Sequence, residues 1–170
     1  MFMPEPIHSE RTPLLSSLMF LAKAGVIAFS GLMITVALLQ VIFRYVFSAP
    51  LPWSEELARY CFVWIVFLGA AIGLQRGFHL GVDLFVNALP ERFRSGLEVL
   101  CFSLIACFAA VVAYASYPVI ALNMMQRSPA MGVQMSWIYI AIPISMVLIC
   151  LISLVRVVDI VRDGPVKKGG

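Results

Sequence analysis

The side chains that could carry acid–base, metal or redox chemistry are few in this sequence, and the charged ones and the histidines lie mostly outside its apolar runs. The 170 residues include nine acidic side chains, two histidines and four cysteines. His8 lies in a polar N-terminal stretch and His79 in a connecting segment, whereas a haem held within a membrane needs axial histidines inside helices. The sequence contains no Walker, H-E-x-x-H or G-x-S-x-G pattern. It therefore predicts no catalytic residue, no metal site, no cofactor and no enzymatic activity.

The cysteines do not have the spacing of a redox centre. They lie within or at the edges of apolar runs, and none forms a C-x-x-C pair: Cys61, Cys101, Cys107 and Cys150. A disulfide-exchange enzyme of the membrane needs paired cysteines near the outer face. We therefore interpret all four as small apolar packing residues.

The densest group of charges stands directly before an apolar run. In LPWSEELARY, residues 51–60, Glu55, Glu56 and Arg59 precede the uncharged run CFVWIVFLGAAIGL. We predict that Ser54 caps a helix there, because the helix dipole then favours both glutamates in the first turn. Arg59 is spaced to pair with either glutamate, and Trp53 is predicted to anchor this end at the membrane interface.

The composition indicates an integral membrane protein. The chain is 62% hydrophobic and 12% charged, whereas soluble domains carry roughly 25% charged residues. Four segments have about the 20 residues that a membrane-spanning helix needs: 24–43, 57–75, 99–122 and 137–155. They lack the alternation of barrel strands. The predicted fold class is thus all-α, with four transmembrane helices in a single membrane domain, residues 1–170.

The distribution of Lys and Arg predicts the orientation. With a cytoplasmic N-terminus, nine basic residues lie inside and three outside, the latter being Arg44, Arg59 and Arg127. Positive charges favour the cytoplasmic side, so both termini are predicted to be cytoplasmic. The first apolar run is too long for a signal peptide and lacks an A-x-A site, so we expect it to remain as the first span.

Two further patterns concern the surfaces of the helices. The connection after the second span mixes apolar and polar residues up to Pro90, which predicts a short amphipathic helix in the membrane interface at about 79–89. Gly69 and Gly73 form a G-x-x-x-G pair, which lets helices approach closely. Packing within the chain's own bundle is the favoured interpretation of this pair, and contact with a partner's helix is the alternative.

The block PWSEELARYCFVWIVFLGAAIGLQRGFHLGVD, residues 52–83, resembles the small membrane subunit of tripartite ATP-independent periplasmic (TRAP) transporters. The pattern consists of a Trp, two acidic residues and an Arg, then a span with Leu-Gly-Ala, then a basic residue, Gly, His, an aliphatic residue and Val-Asp. The matching residues are Trp53, Glu55, Glu56, Arg59, Leu68, Gly69, Ala70, Arg76, Gly77, His79, Leu80, Val82 and Asp83. Trp137 and Ile142-Pro143 of the last span also resemble the family.

This resemblance implies a non-catalytic subunit of the bacterial inner membrane. Such a subunit packs on the scaffold of a large multi-span membrane subunit and enlarges it. The large subunit performs sodium-driven uptake of an organic anion, a carboxylate or sugar acid, which a periplasmic substrate-binding protein delivers. The implied partners are these two proteins and membrane lipids, without nucleic acid, and the substrate site lies on the large subunit. The candidate assembly residues of this chain are Trp53, Glu55, Glu56, Arg59, Gly69, Gly73, Arg76, His79 and Asp83.

Two other functions remain open at this stage. A self-sufficient small transporter acting as a homo-oligomer would need a buried polar site, and Gln40 is the one weak candidate in the spans. A membrane anchor of a redox complex would need histidines in the helices or paired cysteines, which a visible absorbance spectrum would reveal.

Overall fold

The computed structural model describes residues 13–76 and 91–163, with side chains for 15–76 and 96–162. In these ranges the regular elements are helices: α1 (Pro13–Tyr45), α2 (Pro52–Gln75), α3 (Glu91–Leu122), α4 (Ser136–Tyr139) and α5 (Ala141–Asp163). Four stretches are long and apolar enough to cross a bilayer, namely Leu15–Tyr45, Pro52–Gln75, Gly96–Leu122 and Ser136–Arg162. The predicted all-helical class with four such helices is confirmed. The predicted interfacial segment 79–89 lies outside the described residues.

The first helix is longer than the first predicted span. α1 has 33 residues, which corresponds to about 50 Å at 1.5 Å per residue. Proline is tolerated in a first helical turn because its missing N–H has no intrahelical partner there, and α1 begins at Pro13. Leu15, Met19 and Ala22 are buried. The predicted span 24–43 is therefore the later part of one continuous helix whose early turns belong to the core.

The second helix begins earlier than the sequence suggests. Leu51, with extended φ −98° and ψ 100°, is the N-cap residue and makes no side-chain capping bond, and α2 starts at Pro52. The buried hydroxyl of Ser54 donates to the carbonyl oxygen of Leu51 at 2.7 Å. The prediction that Ser54 caps the helix is wrong, because proline at the first position starts the helix two residues before it.

The four long helices pack as an open row. α1 packs on α2, α2 on α5, and α5 on α3, whereas α1 and α3 share no comparable contact in the described part of the chain. The core joins the early turns of α1 to Leu68, Ala71 and Leu74 of α2 and to α5 around Ile152. Gly25 permits the close approach of α1 to α2, because a Cβ there would lie 3.2 Å from Leu68 Cδ1.

Small residues line the buried side of α3 and α5. Ala106 and Ala109 are buried on α3, and Ala141, Ser145 and Ser153 are fully buried on α5. Short side chains allow helices to approach closely in a membrane. Ala106 and Ala109 therefore pack within the chain's own bundle.

Candidate assembly site at the N-terminal end of the second helix

The loop between α3 and α4, residues 123–135, is a short hairpin. Arg127 and Gln134 pair as an isolated antiparallel bridge, and the Met135 N–H donates to the Gln126 carbonyl at 2.9 Å. The Ser128 N–H donates to the Val133 carbonyl at 2.8 Å. Gly132 has φ +66°, a left-handed conformation that glycine adopts without steric cost. We call this segment the α3–α4 loop.

Glu56 joins α2 to the α3–α4 loop. Its Oε1 accepts a hydrogen bond from the Ala130 N–H and its Oε2 one from the Met131 N–H, both at 3.1 Å. The Ser128 side chain hydrogen-bonds to the same carboxylate, and Arg59 adds a Coulombic attraction. Hydrogen bonds to an ionised acceptor are stronger than neutral ones. The carboxylate thus fixes the turn of the loop to the first turns of α2.

The other predicted residues of this region have different surroundings. Glu55 and Arg59 are exposed, in contrast to partly buried Glu56. Trp53, in the first turn of α2, is also exposed. The two neighbouring glutamates therefore lie on different sides of α2, and Glu56 is the one whose carboxylate accepts hydrogen bonds from the α3–α4 loop in the described residues.

Five of the predicted assembly residues share one face of α2. Residues at alternating spacings of four and three form a continuous line along a helix, and all members of this line are exposed or partly exposed. We call it the α2 stripe, which comprises Glu55, Arg59, Phe62, Val66, Gly69, Gly73 and Arg76. The structure thus brings Glu55, Arg59, Gly69, Gly73 and Arg76 onto one surface.

The G-x-x-x-G pair does not pack within the described bundle. A Cβ built at Gly69 or Gly73 would meet no described atom within 4 Å. The interpretation that this pair packs within the chain's own bundle is therefore wrong for the part of the chain that the structure describes. Among the described glycines, Gly25, outside the predicted motif, is the one that lies close to another helix. His79 and Asp83 lie outside the described residues.

An apolar groove lies on the other side of α2. Its volume is about 580 Å³, and α1, α2 and α5 contribute to its walls. Phe29 and Trp64 stack in it with ring centroids 5.4 Å apart. Leu68 and Val147 also line it. Its apolar walls resemble any surface exposed to lipid.

Sequence reasoning missed the residues that receive Glu56. Ala130 and Met131 contribute backbone N–H groups, so their side chains carry no signal of the role. The one available indication was the turn chemistry of RSPAMG, residues 127–132, where proline and glycine favour a tight reversal. Such a pattern predicts a turn, but it does not predict that the Glu56 carboxylate accepts hydrogen bonds from the backbone of that turn.

Comparison with known proteins identifies the class. Residues 33–163 match the family model described as "Tripartite ATP-independent periplasmic transporters, DctQ component". The chain belongs to this family of TRAP transporter small permease subunits. It is therefore a transporter subunit of the bacterial inner membrane and not an enzyme.

Individual relatives carry the names of small permeases. The Vibrio cholerae C4-dicarboxylate TRAP transporter small permease protein DctQ is 39% identical over 66 residues, which cover 39% of this chain and 28% of that protein. The V. cholerae sialic acid TRAP transporter small permease protein SiaQ is 27% identical over 128 residues, covering 72% and 71% of the two chains. The family resemblance predicted from residues 52–83 is confirmed.

Some relatives contain this unit inside a longer chain. The Haemophilus influenzae sialic acid TRAP transporter permease protein SiaT is 32% identical over 130 residues, which cover 72% of this chain but only 19% of that protein. The Oleidesulfovibrio alaskensis isethionate TRAP transporter permease protein DctMQ matches over 18% of its length. In those proteins the small permease unit is covalently joined to a much larger remainder.

Proposed function

We propose that this chain is the non-catalytic scaffold subunit of a TRAP transporter. It packs on the scaffold of a large multi-span membrane subunit and enlarges it in the bilayer. The large subunit carries the substrate and sodium sites and moves an organic anion inward. The observation that carries the proposal is the fused relatives, in which the matching unit makes up 19% and 18% of single permease chains. A unit that is tethered to a permease in some relatives is expected to bind one when it is separate.

The distribution of polar residues supports the passive role. Ionisable groups within spans usually mark ion or substrate pathways. On α2 the charges are confined to the two ends, at Glu55, Glu56 and Arg59 before the span and at Arg76 after it. Along the described α1, the residues from Ala24 to Phe43 contain no charge, and Gln40 is partly exposed instead of buried. A self-sufficient transporter would need a buried charged or strongly polar site, and the described middle turns of these two helices carry no charged side chain.

The substrate class follows from the relatives named for their substrates. C4-dicarboxylate, sialic acid and isethionate appear in their names, and each of these compounds is an organic anion at neutral pH. We assign this chain to the uptake of an organic anion, driven by sodium and dependent on a periplasmic substrate-binding protein. The large subunit and the binding protein recognise the anion, so this chain sets no substrate preference of its own.

The proposed topology places both termini in the cytoplasm and the α3–α4 loop in the periplasm. Met125, in this loop, is 96% exposed. We expect a membrane-impermeant maleimide to label Met125→Cys in intact sphaeroplasts and to label Val161→Cys, near the end of α5, only after lysis. The chain without added cysteines controls for its four native thiols. The reverse labelling order would contradict the proposed orientation.

Purification with the natural partner tests the function. The tagged chain is extracted from native membranes in mild detergent, and co-purifying membrane proteins are identified by mass spectrometry. We expect one stoichiometric multi-span partner, together with sodium-dependent uptake by the reconstituted pair in the presence of the binding protein. The chain alone in liposomes is the control. Uptake by the chain alone, or isolation solely as a homo-oligomer, would overturn the scaffold role in favour of a self-sufficient transporter.

A further inference from the structure

The α2 stripe is a helix face that the described part of the chain leaves open. The buried residues of α2, among them Cys61, Leu68 and Ala71, lie on the other side of the helix at 100° per residue. α1 and α5 flank α2 in the row, and neither reaches within 4 Å of the place that a Cβ would take at Gly69 or Gly73. The stripe is therefore exposed on one broad face of the row.

Gly69 and Gly73 make no close helix contact within the described part of the chain that would offset their cost. Glycine is a poor helix former because it loses more backbone entropy than alanine does when the helix forms. A pair of glycines on a surface that contacts lipid gains nothing in return, since lipid tails fit any apolar surface. The same pair allows the backbone of a second helix to approach closely and gain van der Waals contact. The α2 stripe is thus suited to close packing against a second helix.

The charges at both ends of the α2 stripe indicate how long a helix packed along it would be. Glu55 and Arg59 are exposed at one end of the stripe and Arg76 at the other, with Phe62 and Val66 exposed between them. The distance from 55 to 76 is about 31 Å at 1.5 Å per residue, close to the thickness of the hydrocarbon core. A helix lying along the stripe therefore crosses the whole bilayer, with polar groups near both membrane surfaces.

We infer that a transmembrane helix of the large permease subunit docks along the α2 stripe. The inference rests on the proposed function and adds the surface through which the subunits meet. The fused relatives favour the large subunit over a second copy as the occupant, because the segment similar to this chain makes up 19% and 18% of those permease chains and is tethered to the rest of them. The groove on the other side has no glycine pair open to a partner and no charged ends, so lipid chains suffice to fill it.

Photo-crosslinking tests the choice of face. Benzoylphenylalanine is incorporated at Val66, on the stripe, or at Val147, in the groove, in the tagged chain expressed with its partner. The two side chains are matched controls because they are 47% and 49% exposed. Irradiation of membranes is expected to give an adduct with the large subunit from position 66 and none from position 147. An adduct from position 147 alone, or from neither position in a pair that co-purifies, would overturn the docking face and leave the scaffold function intact.

A pair of glycine variants provides a second readout. Gly31 on α1 matches Gly73, since a Cβ at either position would meet no described atom within 4 Å. Gly73→Leu is expected to reduce the co-purified large subunit about tenfold, because overpacking a close helix contact costs roughly the free energy of a tenfold change in affinity. Gly31→Leu is expected to leave it unchanged. If the two variants co-purify equal amounts of the large subunit, the docking proposal is wrong. If even the unmodified chain co-purifies no large subunit, the proposed function is wrong as well.

Discussion

Glu56→Ala is expected to release the α3–α4 loop from α2, whereas Glu55→Ala leaves the loop in place. The substitution removes the acceptor of the Ala130 and Met131 N–H groups. The amides of the turn then lose their charged partner and exchange with solvent more readily, by about tenfold or more, because bonds to charged acceptors are among the stronger hydrogen bonds of proteins. Hydrogen–deuterium exchange of residues 126–135 in detergent, read by mass spectrometry, measures the effect.

The neighbouring glutamate makes a stringent control for this experiment. Glu55→Ala changes the charge by the same amount one residue away, but Glu55 is exposed on the α2 stripe. Glu56→Gln should give an intermediate result, because the amide retains one carbonyl acceptor in place of the two carboxylate oxygens. If Glu55→Ala and Glu56→Ala raise exchange in the loop equally, the effect is one of net charge, and the role assigned to Glu56 is wrong.

Ala109→Leu is expected to be the most destabilising substitution in the contact between α3 and α5. Ala109 is 0% exposed and belongs to the core cluster with Leu148, Ile149 and Ile152. Added methylene groups in a filled site force shifts of neighbouring side chains and backbone, typically at a cost of about 1–3 kcal/mol. We expect a lower midpoint of thermal unfolding in detergent, followed by circular dichroism.

The next residue on α3 provides the matched control. Ala110 is exposed, so the side chain of Ala110→Leu enters lipid or detergent and leaves the midpoint nearly unchanged. The two variants have identical compositions, so the difference between them reports the position alone. Equal midpoints would show that α3 does not pack on α5 through Ala109.

The helices could be predicted from the sequence because hydropathy alone defines a span. Four uncharged or nearly uncharged runs predicted the four long helices, and the residue pattern of the block 52–83 predicted the family. The true start of α1 was less visible, because Leu15 and Met19 precede Lys23 in a stretch that composition alone assigns to the membrane surface. Their burial depends on the facing residues of α2 and α5, which are distant in sequence.

The direction of each helix face could not be predicted. In a soluble protein the buried face is the apolar one, but lipid is as apolar as a protein core. Gly69 and Gly25 therefore look alike in sequence, although of the two only Gly25 lies against another helix in the described part of the chain. The partner of Glu56 was hidden for a different reason, since it consists of backbone N–H groups 74 and 75 residues further along the chain.

The open row also has a mechanical consequence. Four helices packed in a row, with 8–10 Å between neighbouring axes, form a plate-like body at most about 35–40 Å wide. A plate joined along one broad face to a larger body displaces lipid far from the axis of that body. Any tilt of the assembly must then deform the bilayer over a longer lever arm. In the proposed transporter, such a subunit would resist tilting of the large subunit in the membrane.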